Sequence, residues 1–302
     1  MKNALQVILR IVLLLVLYFL FQTVFLALSQ VVTIFIASHT GTIPADAGNF
    51  ITDTQYLKEN PAVQACMVNA RALGIFLSTM SMLLFIHLSG YYRLRWSILR
   101  SLDAKPLLVS TLLIFSSMFA LNIFVQWFPL EDNLGGVFEG LSRNPLGIFG
   151  LAVLAPLLEE VLFRGAIQGA LMRFFGRPWP AIVVAALIFG IFHWNPMQVV
   201  YATLLGVIFG WIYYRTGSLM SVIVGHVLNN TIATFMMLSF GNVEESELMA
   251  QVMPQEAVLV SQIVMFVLFG GLSLMLASKL HRSMPAPPVP WHESDEVGQT
   301  EM

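Results

Sequence analysis

The sequence predicts an all-α protein, a polytopic membrane bundle of about eight transmembrane helices. Three observations carry that expectation. Apolar residues make up 57% of the 302-residue chain and charged residues only 11%, where a soluble domain carries about 25% charged residues. Mean hydropathy is +0.78. Eight apolar segments approach the length of about 20 residues that a helix needs to cross a hydrocarbon core ~30 Å thick.

The segments are 5–37, 69–89, 107–127, 146–172, 180–195, 197–214, 218–240 and 257–278. The first exceeds the apolar stretch of a signal peptide, about 7–15 residues. It is therefore expected as an uncleaved helix, although "ALSQ" at Ala27–Gln30 resembles a weak cleavage site. The fifth and sixth are short, separated only by Trp194, Asn195 and Pro196, and can form one tight helical hairpin. Basic residues set the orientation. Lys2 precedes the first span and Arg10 lies at its beginning, and Arg93, Arg95, Arg100 and Lys105 fill the second loop. Arg173, Arg177, Arg215, Lys279 and Arg282 mark later loops on the same side. The loop 241–256 holds Glu244, Glu245, Glu247 and Glu256 and no basic residue. The positive-inside rule then places both termini in the cytoplasm, and the expected location is a bacterial cytoplasmic membrane. Residues 281–302 are Pro-rich, then acidic, and read as a disordered tail.

Composition excludes other classes. A net charge of −2 gives no electrostatic case for nucleic acid. The single cysteine, Cys66, can form neither an intrachain disulfide nor a zinc module. Gly165–Gly169 and Gly206–Gly210 are GxxxG pairs, read as close helix packing. No inverted repeat supports a transporter.

Few ionisable residues remain at membrane depth: His87, Glu159, Glu160, Arg164, His193 and His226, with Asn229 and Asn230 beside the last. Such residues usually face the bundle interior and mark a functional path. At 1.5 Å per residue, Glu159 lies about 21 Å from Arg173, His193 about 20 Å past Pro180, and His226 and Asn230 about 16 and 22 Å past Arg215. Three helices thus bring a carboxylate, two imidazoles and an amide to a similar level. Glu160 and Arg164 are i, i+4 and can pair, offsetting the cost of insertion. Glu159 is rotated about 100° from Glu160. Lacking a local cation, it is placed to take a proton from water as a general base. His226 and Asn230 share a face, and Phe189 sits one turn before His193.

These residues resemble the CPBP intramembrane proteases, the group of the type II CaaX prenyl endopeptidases and the bacterial Abi proteins. "EEVLFR" fits the EExxxR motif, "FGIFH" fits FxxxH as Phe189 to His193, and "HVLNN" fits HxxxN as His226 to Asn230. The resemblance covers 105–240, a core flanked by N-terminal helices and loops over 1–104, a last helix within 241–280 and the tail. It implies a catalytic Glu159 that activates water, His193, His226 and Asn230 completing the site, and Glu160, Arg164 and Phe189 in support. HExxH and GxSxG motifs are absent, and no span carries paired aspartates. Glu159, His193 and His226 could hold a divalent metal such as zinc, or the same groups could bind water directly with the histidines and asparagine stabilising an oxyanion. The expected function is an intramembrane endopeptidase acting on a membrane-associated protein or peptide within the lipid bilayer. The alternative is a non-catalytic partner or bacteriocin-immunity-type protein that binds a peptide or sensor helix in the same polar cavity.

Overall fold

The structure, a computed structural model, describes residues 4–46, 48, 54–92, 104–130, 135–241 and 249–284. Lys2, Arg93, Arg95, Arg100, Glu244, Glu245, Glu247 and the tail from 285 onward lie outside the described residues. Among the described residues every regular element is a helix. We number them α1 (Ala4–His39), α2 (Thr54–Glu59), α3 (Pro61–Leu88), α4 (Ala104–Gln126) and α5 (Gly135–Ser142). There follow α6 (Pro145–Phe175), α7 (Pro178–Ile191), α8 (Pro196–Thr216), α9 (Met220–Phe240) and α10 (Gln255–Ser283).

Seven of these, α1, α3, α4, α6, α8, α9 and α10, are long and apolar enough to cross a membrane. The chain is an integral membrane protein. The fifth expected segment is α7, which at 14 residues rises only about 21 Å, short of the hydrocarbon core. It turns back through Phe192–Asn195 into α8 and packs along it, forming the hairpin expected from the sequence. The second span starts at Pro61 rather than near 69, because a proline at the first turn opens the helix before the hydropathy rises. The last helix continues to Ser283, so residues 281–283, expected in the tail, are helical.

The centre of the bundle is α6. It packs against α3 on one side and α7, α8 and α9 on the other, while α1 lies outside α3 and α10 outside α4. All nine residues from Glu160 to Gln168 are buried. Lipid-like packing alone holds transmembrane helices weakly, so small residues and polar contacts set the interfaces. Gln168 Nε2 donates to the Gly210 carbonyl at 2.9 Å, an approach that requires bare backbone there, since a Cβ on Gly210 would stand 2.6 Å from Gln168 Oε1. The Gly206–Gly210 pair is thus a close-packing stripe. Between α4 and α10, Ser273 Oγ donates to Ser116 Oγ at 2.9 Å and Trp127 Nε1 to Gln262 Oε1 at 3.3 Å. Between α1 and α3, Ser78 Oγ donates to Gln22 Oε1 at 3.0 Å.

The hairpin depends on one glycine. A Cβ on Gly190 would collide with Thr203 Oγ1 and lie 2.6 Å from the Val199 carbonyl. Gly190→Ala should therefore lower stability by about 1–3 kcal/mol, the usual cost of overpacking. Thermal unfolding in detergent checks this, and Thr203→Ala in the same chain should return part of the loss. Wild-type stability for Gly190→Ala would mean that α7 and α8 do not approach this closely.

The α6 backbone departs from regular α geometry twice, with π-helical turns at Gly150–Leu154 and Glu160–Gln168. The first has an identifiable cause. Proline lacks an N–H and crowds the carbonyl four residues earlier, and Pro156 lies just beyond this turn. The helix widens to accommodate it, and the Ala155 N–H bonds back to Gly150. Such turns often occur at functional sites.

Candidate active site

The centre of the site is His226 on α9, whose side chain is nearly fully buried. Its Nδ1 lies 2.7 Å from Glu160 Oε1, and its Nε2 lies 3.7 Å from Glu159 Oε2. One imidazole thus stands between the two adjacent carboxylates of α6. A carboxylate only accepts, so Nδ1–H donates to Glu160, and in the neutral imidazole Nε2 carries the lone pair. The 3.7 Å gap to Glu159 exceeds hydrogen-bond length. A small third molecule, such as water, can be shared by these two groups.

Glu160 and Arg164 do pair, Nη1 donating to Oε1 at 3.1 Å, and they are 0% and 1% exposed. The pair is not isolated. The same Glu160 oxygen accepts from His226, so Arg164, Glu160 and His226 form one linked unit. The Arg164 Nη2 donates to the Gly206 carbonyl at 3.5 Å. Its guanidinium carbon lies 4.3 Å from the Phe189 ring centroid and 5.1 Å from that of Phe209. Cation–π contacts of this kind stabilise a desolvated guanidinium. Phe189 also meets His193 edge-on at 4.8 Å and His226 at 6.1 Å. One buried ring therefore contacts the cation and both imidazoles.

His193 caps the hairpin turn. Its Nδ1 donates to the Phe189 carbonyl at 2.9 Å, the direction required because a carbonyl only accepts. This leaves Nε2 as the available ring nitrogen. The next residue, Trp194, has φ 56°, a left-handed conformation uncommon for a bulky side chain. That reversal ends α7 and sends the chain into α8 within one short turn. Asn230 donates from Nδ2 to the Leu151 carbonyl at 3.1 Å and accepts from Asn229 Nδ2 at 2.9 Å.

Glu159, His193, His226 and Asn230 line a single cavity of about 280 Å³. Phe189 lines it as well. The rest of the wall is largely apolar, including Leu151, Ala155, Leu205 and Met237, with α5 contributing Phe138 and Ser142. His87 does not line it. Sequence reasoning missed Tyr201, Gln198, Ser142 and Thr234, which are uncharged and carry no insertion-cost signal; of these, Tyr201 donates to Asn229 Oδ1 at 2.8 Å. Among the described residues no three His, Cys, Asp or Glu side chains stand close enough to hold a metal ion. Glu159, His193 and His226 share a cavity without forming such a group.

Residues 141–232 match the family model described as Type II CAAX prenyl endopeptidase Rce1-like. The chain is also 31% identical over 112 residues to a Bacillus subtilis protein named "Putative membrane peptidase YdiL". That alignment covers 36% of this chain and 44% of the relative, so it spans less than half of the curated protein. No solved structure matches. Over this segment the chain is similar to the type II CAAX prenyl endopeptidase Rce1-like family, the group that its three motifs resemble. Both matches point in general terms to a membrane protease.

Proposed function

We propose that this protein is an intramembrane endopeptidase that hydrolyses a peptide bond of a membrane-associated protein or peptide, with Glu159 as the base. The observation that carries the proposal is the placement of His226 between Glu160 and Glu159 at the wall of the shared cavity. A water donating one hydrogen to Glu159 and the other to His226 Nε2 keeps its oxygen lone pair free to attack a carbonyl. Glu159 takes the proton as the C–O bond forms and delivers it to the leaving amine as the C–N bond breaks. Asn230 supplies a donor to the oxyanion that develops in between, with His193 lining the same cavity. Glu160 holds the His226 tautomer, and Arg164 holds Glu160. The largely apolar wall suits a substrate segment that comes from the bilayer. The distribution of basic residues along the sequence supports termini on the cytoplasmic side.

A divalent metal such as zinc, expected from the sequence on Glu159, His193 and His226, is the competing route to the same nucleophile, although these side chains do not converge closely enough to hold one in this structure. Chelation decides between them. Purified protein in nanodiscs, freed of metal by exhaustive chelation, should retain its cleavage of membrane-spanning peptides. Activity lost on chelation and restored by zinc would replace direct water activation with the metal route. Failure to cleave membrane segments under either condition would count against the endopeptidase and favour the peptide-binding alternative.

A further inference from the structure

Tyr201 lies outside the three motifs and Asn229 fills a variable position of the third, yet both are joined to Asn230 in one chain of hydrogen bonds. Tyr201 donates to Asn229 Oδ1 at 2.8 Å, Asn229 Nδ2 to Asn230 Oδ1 at 2.9 Å, and Asn230 Nδ2 to the Leu151 carbonyl at 3.1 Å. Its direction is fixed from one end. A main-chain carbonyl only accepts, so Asn230 must turn its nitrogen to Leu151 and its oxygen to Asn229. Asn229 must then present its nitrogen, leaving its oxygen for the Tyr201 hydroxyl.

Pro156 creates the anchor. In the π-turn the Ala155 N–H bonds to Gly150, so the Leu151 carbonyl loses its α-helical donor at i+4. The π-helical donor at i+5 would be Pro156, which has no N–H. A carbonyl left over in this way within a half-buried turn gains by another partner, and the Asn230 side chain supplies it.

We infer that Tyr201, Asn229 and Pro156 are positioning residues that hold Asn230 as a one-way hydrogen-bond donor toward the cavity. The inference rests on the endopeptidase reading. With its oxygen and one N–H engaged in the chain, Asn230 keeps its second N–H for an oxyanion. A flipped amide would turn oxygen lone pairs toward the same negative charge and oppose the reaction.

Three variants test the direction of the chain. Tyr201→Phe should lower kcat on the order of 10-fold, the lower end of what losing an orienting partner costs at a functional site, with KM little changed. Asn229→Asp should lose more, because an ionised carboxylate cannot donate and draws the Asn230 nitrogen away from Leu151. As pH falls, its carboxyl gains a proton to donate to Asn230, so its activity relative to wild type should rise. Pro156→Ala should raise thermal stability, since it removes a helix-interior proline, and yet lower kcat, because a new N–H competes for the Leu151 carbonyl. A merely structural role predicts the opposite pairing, with activity following the folded fraction. Raised KM at constant kcat in Tyr201→Phe, or an Asn229→Asp pH profile parallel to wild type, would overturn the inference.

A second measurement needs no substrate. With isotopically labelled asparagine in the full chain in detergent micelles, Tyr201→Phe should shift the side-chain amide resonances of both Asn229 and Asn230. Resonances are assigned from Asn229→Ala and Asn230→Ala. An unmoved Asn230 amide would overturn the chain whether or not any peptide is cleaved. Shifted amides in a protein that cleaves nothing would uphold the geometry and reject the endopeptidase reading with the catalytic role built on it.

Discussion

Glu159→Gln should reduce turnover of a membrane peptide by about 10²–10⁴-fold, the usual contribution of a positioned general base, while KM stays nearly constant. The amide keeps the shape and one acceptor of the carboxylate but cannot take a proton from water. Glu159 lines the cavity and lies 3.7 Å from His226 Nε2, whereas Glu160, its sequence neighbour, is fully buried and bonded to Arg164 and His226. The two glutamates should therefore fail differently. Glu159→Gln should be folded and inactive, with wild-type thermal stability. Glu160→Gln should lose stability as well, because Arg164 would keep its charge without a counterion. Steady-state kinetics and thermal unfolding on the same purified preparations separate the two outcomes. Equal loss of stability in both variants would contradict the division of labour.

Arg164→Ala should lower stability by about 3–5 kcal/mol, the cost of breaking a buried pair and leaving its partner charged and alone. Glu160 Oε2 already has no hydrogen-bond partner among the described residues, so little is at hand to replace the guanidinium. The truncation also removes a side chain held between Phe189 and Phe209. Lysine should not rescue it, since a point charge reproduces neither the planar fork nor the ring contacts. Replacing both partners by uncharged groups, Glu160→Gln with Arg164→Met, should return much of the stability, as such replacements often do. It should not return activity, because His226 would lose the carboxylate that fixes its tautomer. An Arg164→Ala variant that accumulates and unfolds like wild type would contradict the buried triad.

Much of the candidate site was legible because charge at membrane depth is costly. That cost singled out Glu159, Glu160, Arg164, His193 and His226, and counting helix rise brought four site residues to one level. The geometry then depended on rotation about helix axes, which rise alone does not determine. So the sequence reading treated Glu160 and Arg164 as a pair of their own, whereas Glu160 also holds His226 at 2.7 Å. Nor did periodicity register the π-turns of α6, the first of which follows from Pro156 and the bonding of Ala155 back to Gly150. Tyr201 and Gln198 were hidden because a neutral polar residue in an apolar run resembles ordinary interhelical packing. The spans themselves followed hydropathy closely. They differed mainly at their ends, where Pro61 begins α3 early and α10 runs on to Ser283.

The central claim is that Glu159 activates water to cut a peptide bond within the membrane. Its most direct test is comparative proteomics of membranes expressing wild type or Glu159→Gln, incubated in heavy-oxygen water. The account predicts new C-termini from membrane-associated proteins in wild-type membranes, each carrying heavy oxygen in its carboxylate, with the uncut proteins accumulating in Glu159→Gln. The same labelled termini appearing equally with both proteins, or appearing with neither, would contradict it.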